Sequence, residues 1–238
     1  MLTEILPIIG AFILSMTCGA FFIPSVLKFC KKKKLYDIPT LRKVHSAPIP
    51  RLGGITFIPS MMISAVAVLL IIATNNIQDK ISLSMWSVGF ILSLSIIYSV
   101  GIIDDLIGLN AKVKFVAQIL AASIMPICGL QINDLYGLFG IYEIPSVVGI
   151  PLTILVFVFI DNALNLIDGI DGLATSLSII ALLGFFYCFI PYDLIAYEVM
   201  IAGLVGVLTV YLYYNMWGEV EKGTKIFMGD SGSLLLGF

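Results

Sequence analysis

Seven stretches of mainly apolar residues, at about 5–29, 53–73, 84–103, 113–130, 146–164, 173–191 and 197–214, leave this chain few ways to fold. Each is close to the roughly 20 residues that a helix needs to cross about 30 Å of hydrocarbon. In lipid, a helix satisfies its backbone hydrogen bonds within its own segment. An eighth stretch begins after Asp230. With 60% hydrophobic residues, 12% charged residues and a mean hydropathy of +1.08, the chain lies outside the range of a water-soluble domain. The expected fold is all-α: a polytopic transmembrane helix bundle of seven spans plus a truncated eighth. Residues 1–238 read as one domain, with no repeat, linker or low-complexity tract. Pro24 and Pro59 predict kinks rather than breaks. The first stretch reads as a retained span, because its leader carries Glu4 rather than the basic cluster of a signal peptide.

The placement of charge orients the bundle. The loop at about 30–52, with Lys28 beside it, holds eight basic residues, the loop at about 104–113 is flanked by Lys112 and Lys114, and the loop at about 215–230 holds Lys222 and Lys225. Twelve of thirteen basic residues therefore share one side with the loop at about 165–172, and only Lys80 lies opposite. The positive-inside rule puts that side in the cytoplasm and the N-terminus outside. A net charge of −2 offers no basic footprint for nucleic acid. Cys18, Cys30, Cys128 and Cys188 have neither the spacing of a zinc site nor that of a disulfide framework.

The same side collects acids in three short segments: GIIDDLIG with Asp104 and Asp105, NLIDGIDG with Asp168 and Asp171, and FMGDSGS with Asp230. Asp161 lies one helical stretch before the second segment. Asn165, Asp168 and Asp171 recur every three residues and would share one face of a continuing helix. A helix starting near Asp171 would aim its N-terminal amides at a phosphate. Carboxylates gathered near phosphate, without histidine or thiolate partners, favour Mg²⁺, with Mn²⁺ as the alternative. Taken singly, each segment also reads as a helix cap, a hydrated loop or a turn. Lys112 and Lys114 double as topology determinants, and Lys31 to Lys34 as a lipid-headgroup anchor. His45, the only histidine, reads equally as a solvated loop residue or a ligand contact.

NLIDGIDGLA, GIIDDLIG followed by AKVKFVAQ, and FMGDSGSLLLGF closely resemble, in order and spacing, three signatures of the polyprenyl-phosphate N-acetylhexosamine-1-phosphate transferases. The first loop, YDIPTLRKVHSAPIPRLGGI, looks like the WecA/TagO branch of that family, which also includes the MraY enzymes. The resemblance implies a bacterial cytoplasmic-membrane phosphotransferase with its active site facing the cytoplasm. A UDP-N-acetylhexosamine, with N-acetylglucosamine the expected sugar, would give its sugar-1-phosphate to undecaprenyl phosphate and release UMP, the first membrane step of a cell-envelope polysaccharide. Mg²⁺ is the implied cofactor.

By the same resemblance, Asp230 matches the main metal ligand, with Asp168 beside it; Asp104 and Asp105 match the essential acidic pair; Asp168 and Asp171 match the nucleotide-sugar loop. Lys114 and Lys112 are implied phosphate contacts. Asn165, Asn215, Phe227, His45 and Arg51 complete the substrate-binding candidates. The segment NMWGEVEKGTKIFMGD is longer and more charged than the family's forms. The eight residues after Asp230 make about 12 Å of helix, so the chain is expected to be C-terminally truncated and to lack later helices and a histidine-bearing loop. A homodimer is compatible with the sequence. The competing class is an ion-coupled transporter, which predicts acids near the bilayer midplane and internal repeats.

Overall fold

The structure, a computed structural model, describes residues 2–37, 48–74, 84–192 and 194–238, so His45 lies outside the described residues. Eight α-helices make up about three-quarters of the described residues. α1 (Leu2–Lys33) runs unbroken through Pro7 and Pro24 and ends on Lys31, Lys32 and Lys33. At 32 residues it is about 48 Å long, so its basic end extends past the hydrocarbon. Two short strands, β1 (Tyr36–Asp37) and β2 (Ile49–Pro50), pair antiparallel with Tyr36 opposite Pro50. A 3₁₀ turn at Gly53–Thr56 then leads into α2 (Phe57–Thr74). α3 (Met85–Ile107) starts on Ser84, whose hydroxyl accepts from the Ser87 amide, and stops at Gly108, where φ is 72°. α4 (Ala111–Ile127) is capped by Asn110. α5 (Ser146–Ile167), α6 (Leu173–Phe189), α7 (Ile195–Trp217) and α8 (Asp230–Gly237) follow.

Large apolar side chains such as Leu6, Phe21, Leu70, Phe159 and Ile180 point outward, whereas Ser15, Ser60, Ser64 and Ser93 are fully buried. This inversion of a soluble protein follows from lipid being as apolar as leucine: association rests on close packing of small and polar groups. Among the described residues, six helical segments are long and apolar enough to span a membrane: Ile5–Lys33, Gly53–Thr74, Met85–Ile107, Ser146–Ile167, Leu173–Tyr192 and Ile195–Trp217. The fourth apolar stretch, expected to span to residue 130, forms a 17-residue helix of about 26 Å, a few ångströms short of the hydrocarbon thickness.

α1 packs on α7 and α2, and α6 packs on α7; α3, α4 and α5 form a second group. α8 lies between α3 and α5 and also touches the 3₁₀ turn, which joins the two groups. A core of Ile23, Leu27, Phe57, Leu208, Tyr211, Ile226, Met228 and Leu235 fills the junction. Because consecutive helices alternate in direction, the C-terminal ends of α1, α3, α5 and α7 and the starts of α2, α4, α6 and α8 meet at one end of the bundle.

The start of α8 is packed backbone to backbone. A Cβ on Gly101 of α3 would come within 2.6 Å of Ser231 Cα, and one on Gly54 would collide with the Gly232 backbone. Gly101→Ala should therefore cost about 1–3 kcal/mol as overpacking and lower the unfolding temperature of the purified protein. Gly184→Ala on α6, where nothing lies within 4 Å, should not lower it, because alanine favours a helix interior over glycine. Equal unfolding temperatures for the two variants would show that α8 does not sit this close to α3.

Candidate active site

α3 keeps its helical register past residue 103, so Asp104 and Asp105 are part of its last turn rather than of a loop. The loop expected at about 104–113 shrinks to residues 108–110. Asp105 is buried, and its two oxygens accept the backbone N–H groups of Asp230 at 2.9 Å and Ser231 at 3.0 Å. Those are the first amides of α8, which its own N-cap, Gly229, has no side chain to satisfy. Asp105 thus caps α8 from another helix, where the positive end of the helix dipole also stabilises its charge. Gly229 is required there: its φ is 75°, and a Cβ would strike the Arg51 carbonyl and the Asp105 carboxylate. The Gly53 and Gly54 amides donate to the Phe227 and Met228 carbonyls at 2.9 and 2.8 Å, and the Phe227 amide donates to Pro50. These bonds hold the residues before Asp230 in an extended path.

Lys114, on the first turn of α4, places its ammonium between two carboxylates, 2.5 Å from Asp230 Oδ2 and 3.3 Å from Asp104 Oδ2. Asp104 Oδ1 accepts from the Leu109 amide at 2.6 Å. Asp230 Oδ1 accepts from Asn165 Nδ2 at 3.1 Å, and the same nitrogen donates to Ser233 Oγ at 2.7 Å. Residues from α3, α4, α5 and α8 therefore meet around one carboxylate.

Asn165, Asp168 and Asp171 do not share a helical face. α5 ends at Ile167, and the chain turns before α6 starts after Gly172, where φ is 73°. Asn165 faces Asp230, whereas Asp171 pairs with Lys225 at 2.6 Å. Lys225 also donates to the Asn215 carbonyl at 2.5 Å. Asn215 accepts from the Gly172 amide at 2.6 Å and donates to the Ile226 carbonyl at 3.0 Å. Its side chain thus clamps two loops together. The helix-start amides expected to face a ligand are partly engaged, Gly172 by Asn215 and Asp230 and Ser231 by Asp105.

Of the remaining candidates, Arg51 is half-buried and its Nε has no hydrogen-bond partner among the described residues. Phe227 is half-buried, with its backbone fixed on both sides. Lys112 is exposed; only its backbone amide, bonded to Asn110, has a structural part. Asp161 is fully buried within α5 against Gly237, and neither of its oxygens has a hydrogen-bond partner among the described residues. Lys225, buried and holding Asp171, was legible only as a topology determinant. Its position four residues before Gly229, inside the extended path that precedes α8, is the available sequence signal.

One oxygen from each of Asp104, Asp105 and Asp230 lies within 4.8 Å of the others, an all-oxygen set that suits a hard divalent cation. Asp168 is outside that group, and its charge is uncompensated by any donor or cation among the described residues. Its carboxylate makes no hydrogen bond or ion pair among the described residues. Burial, followed by the charges of Asp230, Asp105 and Asp171, pushes it up from 3.8 to about 8. The site thus has more negative charge than its lysines and amides balance, as a cation site requires.

Because its folded value lies above its unfolded one, Asp168 holds an extra proton in the folded protein between those two pH values. Its contribution to stability therefore falls as pH rises from about 4 to about 8. In chelator-treated protein, Asp168→Asn should flatten the decline in unfolding temperature between about pH 5 and pH 8. A decline as steep as in the parent would place the uncompensated charge elsewhere.

Residues 87–238 match glycosyl transferase family 4. The chain is 34% identical to a probable undecaprenyl-phosphate N-acetylglucosaminyl 1-phosphate transferase of Bacillus subtilis (strain 168), with 97% of this chain and 60% of that protein covered. It is 32% identical to a phospho-N-acetylmuramoyl-pentapeptide-transferase of Staphylococcus carnosus (strain TM300), covering 95% and 71%. It is 33% identical to a decaprenyl-phosphate N-acetylglucosaminephosphotransferase of Mycolicibacterium smegmatis, covering 84% and 50%. The chain thus spans between half and about seven-tenths of the length of these relatives. With the family signatures placed around one carboxylate at one end of a membrane bundle, this protein belongs to glycosyl transferase family 4.

Proposed function

We propose that this protein transfers N-acetylglucosamine-1-phosphate from UDP-N-acetylglucosamine to undecaprenyl phosphate at the cytoplasmic face of a bacterial inner membrane. The observation that carries the reading is the position of Lys114, an ammonium held between Asp104 and Asp230 at the helix ends, beside the open carboxylate of Asp168. A site of this kind suits a reaction in which an oxygen of one phosphate attacks the β-phosphorus of a diphosphate. The new bond makes a lipid diphosphate sugar; the bond between the α- and β-phosphates breaks, and UMP leaves with the electron pair. A lipid substrate and a soluble one can meet only at a helix-end site. Twelve of thirteen basic residues fall in or beside the loops that the sequence assigns to that side, which supports its placement on the cytoplasmic side. The names of the relatives support the donor and acceptor classes.

Mg²⁺ held by Asp230 and Asp104, with Asp168 joining them, would neutralise the phosphates when bound. Lys114 supplies a positive charge that can shift from carboxylate to phosphate oxygen, and Asn165 fixes the Asp230 carboxylate against rotation. Asp105, with both oxygens committed to α8, positions Asp230 rather than reacting. Asp104 has one oxygen on a backbone amide and the other on Lys114, which supports an orienting part over proton abstraction. Asp104, Asp105, Asp168, Asp171 and Asp230 cluster at helix ends and no repeat is visible in the sequence, which favours this reading over an ion-coupled transporter.

Purified full-length protein should release UMP from UDP-N-acetylglucosamine only when undecaprenyl phosphate and Mg²⁺ are present. Asp230→Asn and Lys114→Met should each lower that rate by about 10²-fold or more, the range for losing a preorganised charge at a reacting phosphate. UMP release that ignores the lipid acceptor would contradict the proposal. For Asp104→Asn, the deficit should stay constant between about pH 7 and pH 9, where the acceptor phosphate is already ionised. A deficit shrinking about tenfold per pH unit would make Asp104 the general base instead.

A further inference from the structure

Tyr211 belongs to the face of α7 that carries Leu208 and Asn215, and it is completely buried. Its ring stands edge-on to Phe57, with centroids 5.2 Å apart and planes at 78°. The ring also fills the space left by Gly53, whose Cβ would come within 2.6 Å of Tyr211 Cε2. Packing therefore fixes the ring, and a phenylalanine would satisfy all of it. The hydroxyl is different: it is buried and has no hydrogen-bond partner among the described residues. Most buried hydroxyl groups have one, so an unpartnered phenol at a polar site needs an acceptor.

Three carboxylates lie near enough for their charge to reach that hydroxyl, Asp168, Asp171 and Asp105. Asp171 is already paired with Lys225, and Asp105 is bonded through both oxygens to the start of α8. Asp168 alone has an open carboxylate. One turn further along α7, Asn215 and Met216 pack on Gly172, which brings this helix against the loop that carries Asp168. An unused donor and an unused acceptor thus belong to two elements that pack on one another, α7 and the loop between α5 and α6.

We propose that Tyr211 is a positioning residue whose O–H donates to the Asp168 carboxylate when a divalent cation is bound, fixing Asp168 as a ligand of that cation. The proposal rests on the reading of the site given above. Its chemistry is that of a second hydrogen-bonding layer: a ligand held by a donor loses less freedom on binding metal, and removing such a donor costs about 10–100-fold in metal affinity.

Tyr211→Phe deletes only the hydroxyl. In the full-length protein, Mn²⁺ affinity measured by electron paramagnetic resonance should weaken about tenfold, while the unfolding temperature in chelator stays at the parent value. Half-activation of UMP release should need about tenfold more Mg²⁺, the deficit being recovered at saturating metal. In an Asp168→Asn background, Tyr211→Phe should have no further effect on Mn²⁺ affinity, because the hydroxyl acts through that carboxylate. An unchanged Mn²⁺ affinity in Tyr211→Phe, an equal weakening in the Asp168→Asn background, or a parent that binds no Mn²⁺ would each overturn the proposal. A parent that binds Mn²⁺ with the expected Tyr211 dependence but releases no UMP would uphold it and sink the transferase reading instead.

Discussion

The site depends on one contact, the Asp105 carboxylate against the first two amides of α8. A helix that begins in the middle of a bundle has N–H groups that neither lipid nor its own residues can satisfy, and an unmet buried amide is costly. α8 meets this constraint by borrowing a carboxylate from α3. Once Asp105 is held there, Asp104 is its chain neighbour, Asp230 is the residue being capped, and Lys114 is drawn between the two. The acids do not gather despite their repulsion: each of the first three has a donor, and the donors are part of the fold.

The same constraint accounts for the glycines around α8. Gly54, Gly101 and Gly232 permit backbone approach, and Gly229 adopts a positive φ that places the Asp230 amide over Asp105. What remains unbalanced around α8 is Asp168, together with three buried groups that lack partners among the described residues, the Arg51 Nε and the Tyr211 and Ser231 hydroxyls. Charge that the chain leaves unmatched is charge that a cation and two phosphates can match. Asp161 is a different case, a carboxylate inside the bundle with no ammonium to meet it among the described residues.

The membrane character, the number of helices and the convergence of Asp104, Asp105 and Asp230 were legible in the sequence, because apolar stretches of span length and short acidic motifs are local signals. Helix ends were less so. Hydropathy falls at Asp104, but the helix continues to Ile107, since a carboxylate that caps another helix need not end its own. Three-residue spacing suggested one face for Asn165, Asp168 and Asp171; the turn after Ile167 separates them, because Gly169 and Gly172 make a tight reversal easier than helix. Lys225, Asn215 and Tyr211 act through long-range contacts that no spacing encodes: Lys225 reaches Asp171, and Asn215 reaches Gly172.

The central claim is that these helix ends form a cation-dependent phosphate site around Asp230. Anomalous diffraction from crystals of the full-length protein grown with Mn²⁺ and a UDP-sugar tests it most directly. The account predicts a single strong peak at the open end of the bundle, bounded by Asp104, Asp168 and Asp230, with the Lys114 ammonium moved from Asp230 toward phosphate. A peak away from these carboxylates, or none while nucleotide is clearly bound and Lys114 still bridges Asp104 and Asp230, would contradict it.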